Sequence, residues 1–133
     1  MPAPGCLDMD LLGLVNRAWA LRCLREAKTE LKLAEEEQGF SKLFCLEAAR
    51  KAQASIYHCL GDVRSIESLV FDLMVEGREP PDKISELLVA VERAVQAVAE
   101  ADSRRKAYAI ARRLVALADE VVRIVLGEGG GER

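Results

Sequence analysis

The stretch that most constrains the fold is FSKLFCLEAARKAQASIYHCL, which runs from Phe40 to Leu60. It follows Gly39 and precedes Gly61, and glycine is the residue that most readily ends a helix. Its apolar positions recur with a helical period, and most of them are small, which lets a neighbouring helix approach closely. These positions are Cys45, Ala48, Ala49, Ala52, Ile56, Cys59 and Leu60.

The opposite face of the same stretch mixes charged and apolar side chains. Glu47, Lys51 and His58 lie there together with Phe40 and Leu43. A helix that is apolar on one side and partly apolar on the other is buried more than half way round. We therefore expect a central helix that is surrounded by other helices of the chain or covered by a second subunit.

Composition favours a single all-α domain. The chain has 133 residues, half of them hydrophobic, and it shows no alternating β-branched run. Its net charge of −3 does not indicate a polyanion-binding protein by bulk charge. We find no signal peptide and no apolar run of the roughly 20 residues that cross a bilayer. These features predict a cytoplasmic protein with no membrane association, and the scarcity of Asn and Gln leans towards a thermophile.

Glycine, proline and capping residues divide the chain into five predicted helices. Asp62 and Ser103 are predicted N-caps, and the adjacent Pro80 and Pro81 predict a loop. The predicted helices span Leu7–Glu37, Phe40–Leu60, Val63–Glu76, Asp82–Ala101 and Ser103–Leu126. This order predicts an up-down four-helix bundle with an additional short helix over residues 7–126. Residues 1–6 are predicted to be a flexible N-terminus and residues 127–133 a flexible Gly-rich tail.

The first predicted helix changes its apolar face along its length. Leu11 and Val15 point one way, whereas Ala27 and Leu31 point roughly the other way. Either the helix kinks near residues 18–21, or its two halves pack against different neighbours, one of which could be a second subunit. Apolar residues that are not needed for the core of a single chain predict a homodimer interface. These residues are Leu11, Val15, Trp19, Phe40, Leu43 and Tyr57.

Few residues are candidates for catalysis or metal binding. His58 is the only histidine, and it lacks the lysine that follows the histidine of helical phosphotransfer domains, so a surface or interface histidine is the favoured interpretation. The four cysteines have no zinc-ligand spacing and fit helix packing, although Cys23 and Cys59 lie on neighbouring helices. We predict no catalytic residue, no metal site and no cofactor.

The most distinctive charged feature lies on the last predicted helix. Arg104, Arg105, Arg112 and Arg113 fall within ten residues, whereas the two preceding helices are acidic. The favoured interpretation is that these arginines pair with those acids. The alternative is a nucleic-acid-binding patch that tracks RNA phosphates, without base stacking because only Tyr108 is interleaved.

The run from Ala27 to Gly61 resembles the HEPN superfamily. It joins a spaced Ala/Leu helix, AKTELKLA, through a short turn to an Ala-rich helix that ends in Leu-Gly. The resemblance implies a helical homodimer that binds a partner, such as a nucleotidyltransferase-type protein or RNA. RNase members carry an Arg followed four to six residues later by His, and after Arg104 or Arg105 no histidine falls between Ala109 and Arg112. The resemblance therefore implies a non-catalytic member.

Overall fold

The protein is built from α-helices, one of which is central to the packing. The computed structural model describes the backbone of residues 4–127 and the side chains of residues 11–127. Within this part of the chain no strand occurs, and a single 3-10 turn, Gln38–Phe40, joins the first two helices. The helices are α1 (Pro4–Glu36), α2 (Ser41–Leu60), α3 (Val63–Glu76), α4 (Lys83–Glu100) and α5 (Arg104–Leu126). The all-α prediction is confirmed.

Local capping chemistry sets the helix starts. The Asp62 carboxylate accepts the backbone N–H of Ser65 at 3.1 Å, and the Ser103 hydroxyl accepts that of Lys106 at 3.2 Å. Both N-caps are as predicted. Asp82, which was predicted to open α4, is its N-cap and accepts the N–H of Ser85 at 2.7 Å. An N-cap side chain satisfies a backbone donor that the first turn leaves free, so these starts follow from sequence alone.

The α2 helix packs against each of the four other helices. Its small side chains Ala48, Ala49 and Ala52 have no exposed surface. Two buried serines fix the alignment of α2 along α1. Ser55 Oγ donates to the Ala20 carbonyl at 2.7 Å, and Ser41 Oγ donates to the Ala34 carbonyl at 2.8 Å. The later serine of α2 contacts the earlier residue of α1, so the two helices are antiparallel. The prediction of a central helix is also confirmed.

The two halves of α1 differ in their surroundings, whereas the helix itself is continuous through residues 18–21. Ala20, Leu24 and Ala27 are buried, but most side chains from residue 11 to residue 19 are exposed. The second alternative of the sequence analysis, different neighbours for the two halves, fits this arrangement. The helix also includes residues 4–6, which were expected to be flexible. Residues 1–3 and 128–133, the rest of the predicted flexible ends, lie outside the described residues.

Three apolar residues near the ends of α4 and α5 are exposed. Ile84 of α4 is 52% exposed, and Ile124 and Val125 of α5 are 70% and 44% exposed. All three lie in the terminal turns of their helices, where the bundle offers no neighbour on that side. Periodicity assigns a residue to a face but does not say how far along the helix that face is covered.

Candidate interaction surfaces

An exposed apolar surface covers the first described turns of α1. Leu11, Leu12 and Leu14 are 60–64% exposed, and Val15 and Trp19 are 42% and 44% exposed. We call these five side chains the α1 stripe. They spread over one broad face of the helix, because positions three, four and seven residues apart lie above one another. A contiguous apolar surface of this kind on a folded chain is typical of an interaction site.

The α1 stripe is exposed because the neighbouring helices end beside it. Asn16 faces His58, which lies close to the end of α2 at Leu60. Arg17 Nη1 donates to the carbonyl of Leu126, the last residue of α5, at 3.4 Å. The turns of α1 that precede Asn16 therefore extend past the ends of both helices. Within the described part of the chain, their leucines have no neighbouring helix to pack against on that side.

Trp19 is held in place at the inner end of the α1 stripe. Its ring stacks on His58, with the ring centroids 6.1 Å apart and the planes 17° apart. The Arg22 guanidinium lies over the indole, 5.1 Å from its centroid, which is a cation–π geometry. His58 Nδ1 lies 3.4 Å from Asn16 Oδ1, and burial lowers the pKa of His58. The only histidine is thus part of the α1–α2 contact.

The six predicted interface residues do not form one patch. Phe40 and Leu43 are 65% and 55% exposed, but they lie near the other end of the bundle. Val15 and Glu36, which adjoins the turn to Phe40, are separated by roughly 32 Å of helix at 1.5 Å per residue. Tyr57 is only 3% exposed and belongs to the core of the chain itself. Its prediction as an interface residue is wrong, because α3 and α4 cover the side of α2 on which it lies.

A basic strip covers the outer face of α5. Arg104, Arg105, Arg112 and Arg113 are all exposed. Within the described part of the chain none of the four lies within ion-pair distance of a carboxylate, so the expected pairing with acids of α3 and α4 is wrong. The reason is geometric: α5 turns its small and apolar face to α2 and α4, and this leaves the arginines pointing away from those acids.

The engagement of Tyr108 limits what the basic strip can bind. The Tyr108 hydroxyl donates to a Glu35 carboxylate oxygen of α1, so the ring is engaged in the α1–α5 contact. The strip therefore offers guanidinium groups without a free aromatic platform for base stacking. Such a surface contacts phosphates, and its binding would be strongly salt-dependent.

A groove lies between α3 and the α2–α4 pair, and sequence analysis did not find it. It encloses about 470 Å³. Its floor carries Tyr57, Gln53 and Glu92, and one wall carries Phe71 and Val75 of α3. The only sequence signal was that Phe71 and Val75, four residues apart, fall off the apolar stripe of their helix. Gln53 and Glu92 are distant in sequence, and only the packing of α2 on α4 brings them together.

Nucleophilic and metal-ligating groups are not concentrated anywhere in the described residues. Cys23, Cys45 and Cys59 are free thiols, so no Cys23–Cys59 disulfide forms. Burial raises the pKa of each, to about 11 for Cys59, which keeps these thiols protonated and poorly nucleophilic. Within residues 11–127 no group of three or more His, Cys, Asp or Glu side chains is placed to hold a metal ion. The side chain of Cys6 lies outside the described residues.

Comparisons with known proteins found no relative. No family model matches the chain, and no match was found among curated proteins or among solved structures. None of the helices in the described region is both long enough and apolar enough to cross a membrane. The function is therefore argued from the three surfaces themselves.

Proposed function

We propose that this protein is a non-catalytic helical-bundle interaction protein that acts as a homodimer, with the α1 stripe as the interface. The observation that carries the proposal is the exposure of five large apolar side chains within nine residues of one helix. Each leucine that becomes fully buried stabilises an association by about 1.5–3 kcal/mol. Trp19, held by its stack on His58, provides a rigid anchor of the type enriched at interface centres.

A second copy of the chain is the occupant that fits the α1 stripe best. A two-fold interface places the same patch on both partners, so the patch must be compatible with itself. Leu11, Leu14 and Val15 carry no charge, and two copies packed antiparallel would meet without like-charge repulsion. Ala18 lies on the same face of the helix and adds little bulk, which favours a close approach of the two helices.

The order of the long helices supports an up-down four-helix bundle with α3 as the additional short helix. Asn16 contacts His58 and Ala34 contacts Ser41, so α2 runs opposite to α1. Arg17 contacts Leu126 and Lys28 contacts Asp119, so α5 also runs opposite to α1. Gln53 with Glu92 and Lys42 with Ala101 place α4 antiparallel to α2. This arrangement is compatible with the HEPN resemblance, which implies dimerisation and partner binding. A nucleotidyltransferase-type partner and a cytoplasmic location rest on the sequence patterns alone.

The solution mass tests the dimer. Light scattering of the full chain at micromolar concentration should give twice the chain mass, and Leu11→Glu combined with Val15→Glu should give a monomer. Both side chains are exposed, so the substitutions should leave the fold intact, which circular dichroism verifies. Leu43→Glu is the matched control, since it removes a similarly exposed leucine at the other end of the bundle. A monomeric parent, or dissociation by the Leu43 substitution alone, would rule out this interface.

A second candidate function is RNA binding through the basic strip of α5. The specific observation is that its four arginines are exposed and have no carboxylate partner in the described residues. They therefore do not stabilise the fold through ion pairs within the described residues. A solvent-facing row instead resembles the phosphate-contacting surface of a sequence-independent binder.

A charge-reversal pair tests RNA binding. Fluorescence anisotropy with a labelled single-stranded RNA should show binding at low salt that weakens steeply as salt rises. Arg105→Glu with Arg112→Glu should abolish it. Arg64→Glu with Arg93→Glu changes the net charge by the same amount on exposed positions of α3 and α4, and should have a much smaller effect. Absence of binding by the parent at low salt, or equal losses in both double variants, would end this proposal.

A further inference from the structure

We propose that the groove between α3 and the α2–α4 pair binds a small organic cation with an apolar, aromatic body. The groove volume of about 470 Å³ falls within the range of small-molecule sites. No residue of the α1 stripe or of the basic strip lines it. The inference therefore goes beyond the proposed function and does not depend on it.

The α3 wall of the groove is apolar and accessible. Phe71 and Val75 are 66% and 67% exposed, and Met74 between them is half-buried. Val70, which is 3% exposed, closes the wall towards the core. Side chains four residues apart on a helix lie side by side, so Phe71 and Val75 form one continuous surface. The apolar body of a ligand could pack against this wall, which no other part of the described chain covers.

The floor of the groove is polar and preorganised. Gln53 Nε2 donates to the Tyr57 hydroxyl at 3.1 Å and to Glu92 Oε1 at 2.6 Å. Gln96 Nε2 donates to the second Glu92 oxygen at 2.9 Å. The Glu92 carboxylate is thus fixed in position by two amide groups. Because amides are neutral, they do not cancel its negative charge. A carboxylate held in this way needs no reorganisation when a cation arrives.

The electrostatics of the groove select the sign of the ligand. Glu67 and Glu92 both line the groove, whereas no lysine, arginine or histidine does. Neither carboxylate has a basic side chain within ion-pair distance in the described residues. Burial is the main cause of the raised pKa of the nearby Tyr57, and the charges of both carboxylates add to it. A bound ammonium or iminium group would supply the missing positive charge.

The aromatic rings add specificity for a cation with a flat apolar body. Phe71, which is 66% exposed, presents its ring to the same groove that carries the carboxylates, whereas Tyr57 lines the groove but is only 3% exposed. A cation over an aromatic face is attracted by the negative charge of the ring face, most strongly where water is excluded. An anion would meet two like charges here, and a neutral hydrocarbon would leave the fixed Glu92 carboxylate unpaired.

The test uses two dyes that share a xanthene core and differ in charge. Fluorescence anisotropy of the full chain should show saturable binding of the cation rhodamine 6G and no comparable binding of the anion fluorescein. Glu92→Gln keeps the shape of the side chain and should weaken rhodamine 6G binding roughly ten- to a hundredfold, because a charge-assisted contact contributes about 1.5–3 kcal/mol. Phe71→Ala should also weaken it, and this exposed position does not threaten folding.

Glu86→Gln is the matched control, since it removes one negative charge from an exposed position of α4 outside the groove. It should leave rhodamine 6G binding unchanged. The proposal is overturned if rhodamine 6G does not bind saturably or if fluorescein binds equally well. It is also overturned if neither Glu92→Gln nor Phe71→Ala changes the affinity more than the control does.

Discussion

The indole of Trp19 on α1 lies nearly parallel to the imidazole of His58 on α2, with 6.1 Å between the ring centroids and 17° between the planes. These are the only tryptophan and the only histidine of the chain. The pair joins the last turns of α2 to the point where α1 extends past its neighbours. The fluorescence of Trp19 can therefore be used to monitor the inner end of the α1 stripe.

The Trp19 fluorescence should depend on pH through His58. A protonated imidazole quenches a stacked indole, and burial holds the pKa of His58 below its usual value of 6.5. The fluorescence should therefore fall with a midpoint below pH 6.5, and the His58→Gln variant should lose this step. Because the folded pKa is lowered, His58 should also reduce the free energy of unfolding as pH falls below 6.5. A midpoint at or above 6.5 would contradict the burial of His58.

The buried serine at the α1–α2 contact should contribute measurably to stability. Ser55 has no exposed surface and donates to the Ala20 carbonyl at 2.7 Å. Ser55→Ala should lower the free energy of unfolding by about 1 kcal/mol, the usual net value of one hydrogen bond. Urea unfolding followed by circular dichroism measures the change. Ser68→Ala on the exposed side of α3 is the control and should have little effect; equal changes would show that the buried bond is energetically unimportant.

The ion pair between α1 and α5 should make stability sensitive to acid. Lys28 Nζ and Arg123 Nη2 lie 2.9 and 2.7 Å from the two carboxylate oxygens of Asp119. Burial alone would raise the pKa of Asp119, but these hydrogen bonds and charges hold it below its usual value of 3.8. A lowered folded pKa stabilises the protein at higher pH, and this contribution is lost as pH falls below about 3.8.

The Asp119→Asn variant should therefore be less stable than the parent near neutral pH, by roughly 0.5–1 kcal/mol for a partly exposed pair. The difference should shrink as pH falls below 3.8. Glu120→Gln, an exposed neighbour whose carboxylate is 4.0 Å from Arg123, should show a smaller effect. A constant difference between Asp119→Asn and the parent across the acid range would refute the assignment.

The core tyrosine should limit stability at alkaline pH. Burial raises the pKa of Tyr57 from 10.0 to about 12, so the folded protein resists its ionisation. The unfolded chain ionises first, and the free energy of unfolding should fall between pH 10 and pH 12. The slope should approach about 1.4 kcal/mol per pH unit. Tyr57→Phe should make this slope shallower, whereas Tyr108→Phe, which changes a half-buried ring, should keep most of it. The reverse result would show that Tyr57 is not the residue responsible for the slope.

Local signals in the sequence predicted most of the secondary structure. The starts of α3, α4 and α5 depend on Asp62, Asp82 and Ser103, whose side chains bond to backbone groups three residues away. Because such contacts involve neighbours in the chain, they do not require knowledge of the tertiary packing. The central position of α2 was also predictable, since Ala48, Ala49 and Ala52 form a small-residue face.

The surfaces were predicted less well, because exposure depends on where neighbouring helices end. The sequence analysis assigned Tyr57 and Leu43 to one predicted interface, yet Tyr57 is buried and Leu43 is exposed. The arginines of α5 were found by composition, but their lack of partners follows from the orientation of that helix. The groove was missed because it combines Phe71 with Glu92, which belong to different helices.

The sequence by itself determined an all-α chain of five helices, the starts of α3, α4 and α5, and a central helix of small residues. Only the tertiary structure decided which apolar side chains remain outside. Helix formation is governed by hydrogen bonds and side chains within about four residues, whereas exposure is governed by contacts between residues such as Asn16 and His58 that are far apart in the chain. The α1 stripe, the basic strip and the groove are all consequences of that second kind of contact.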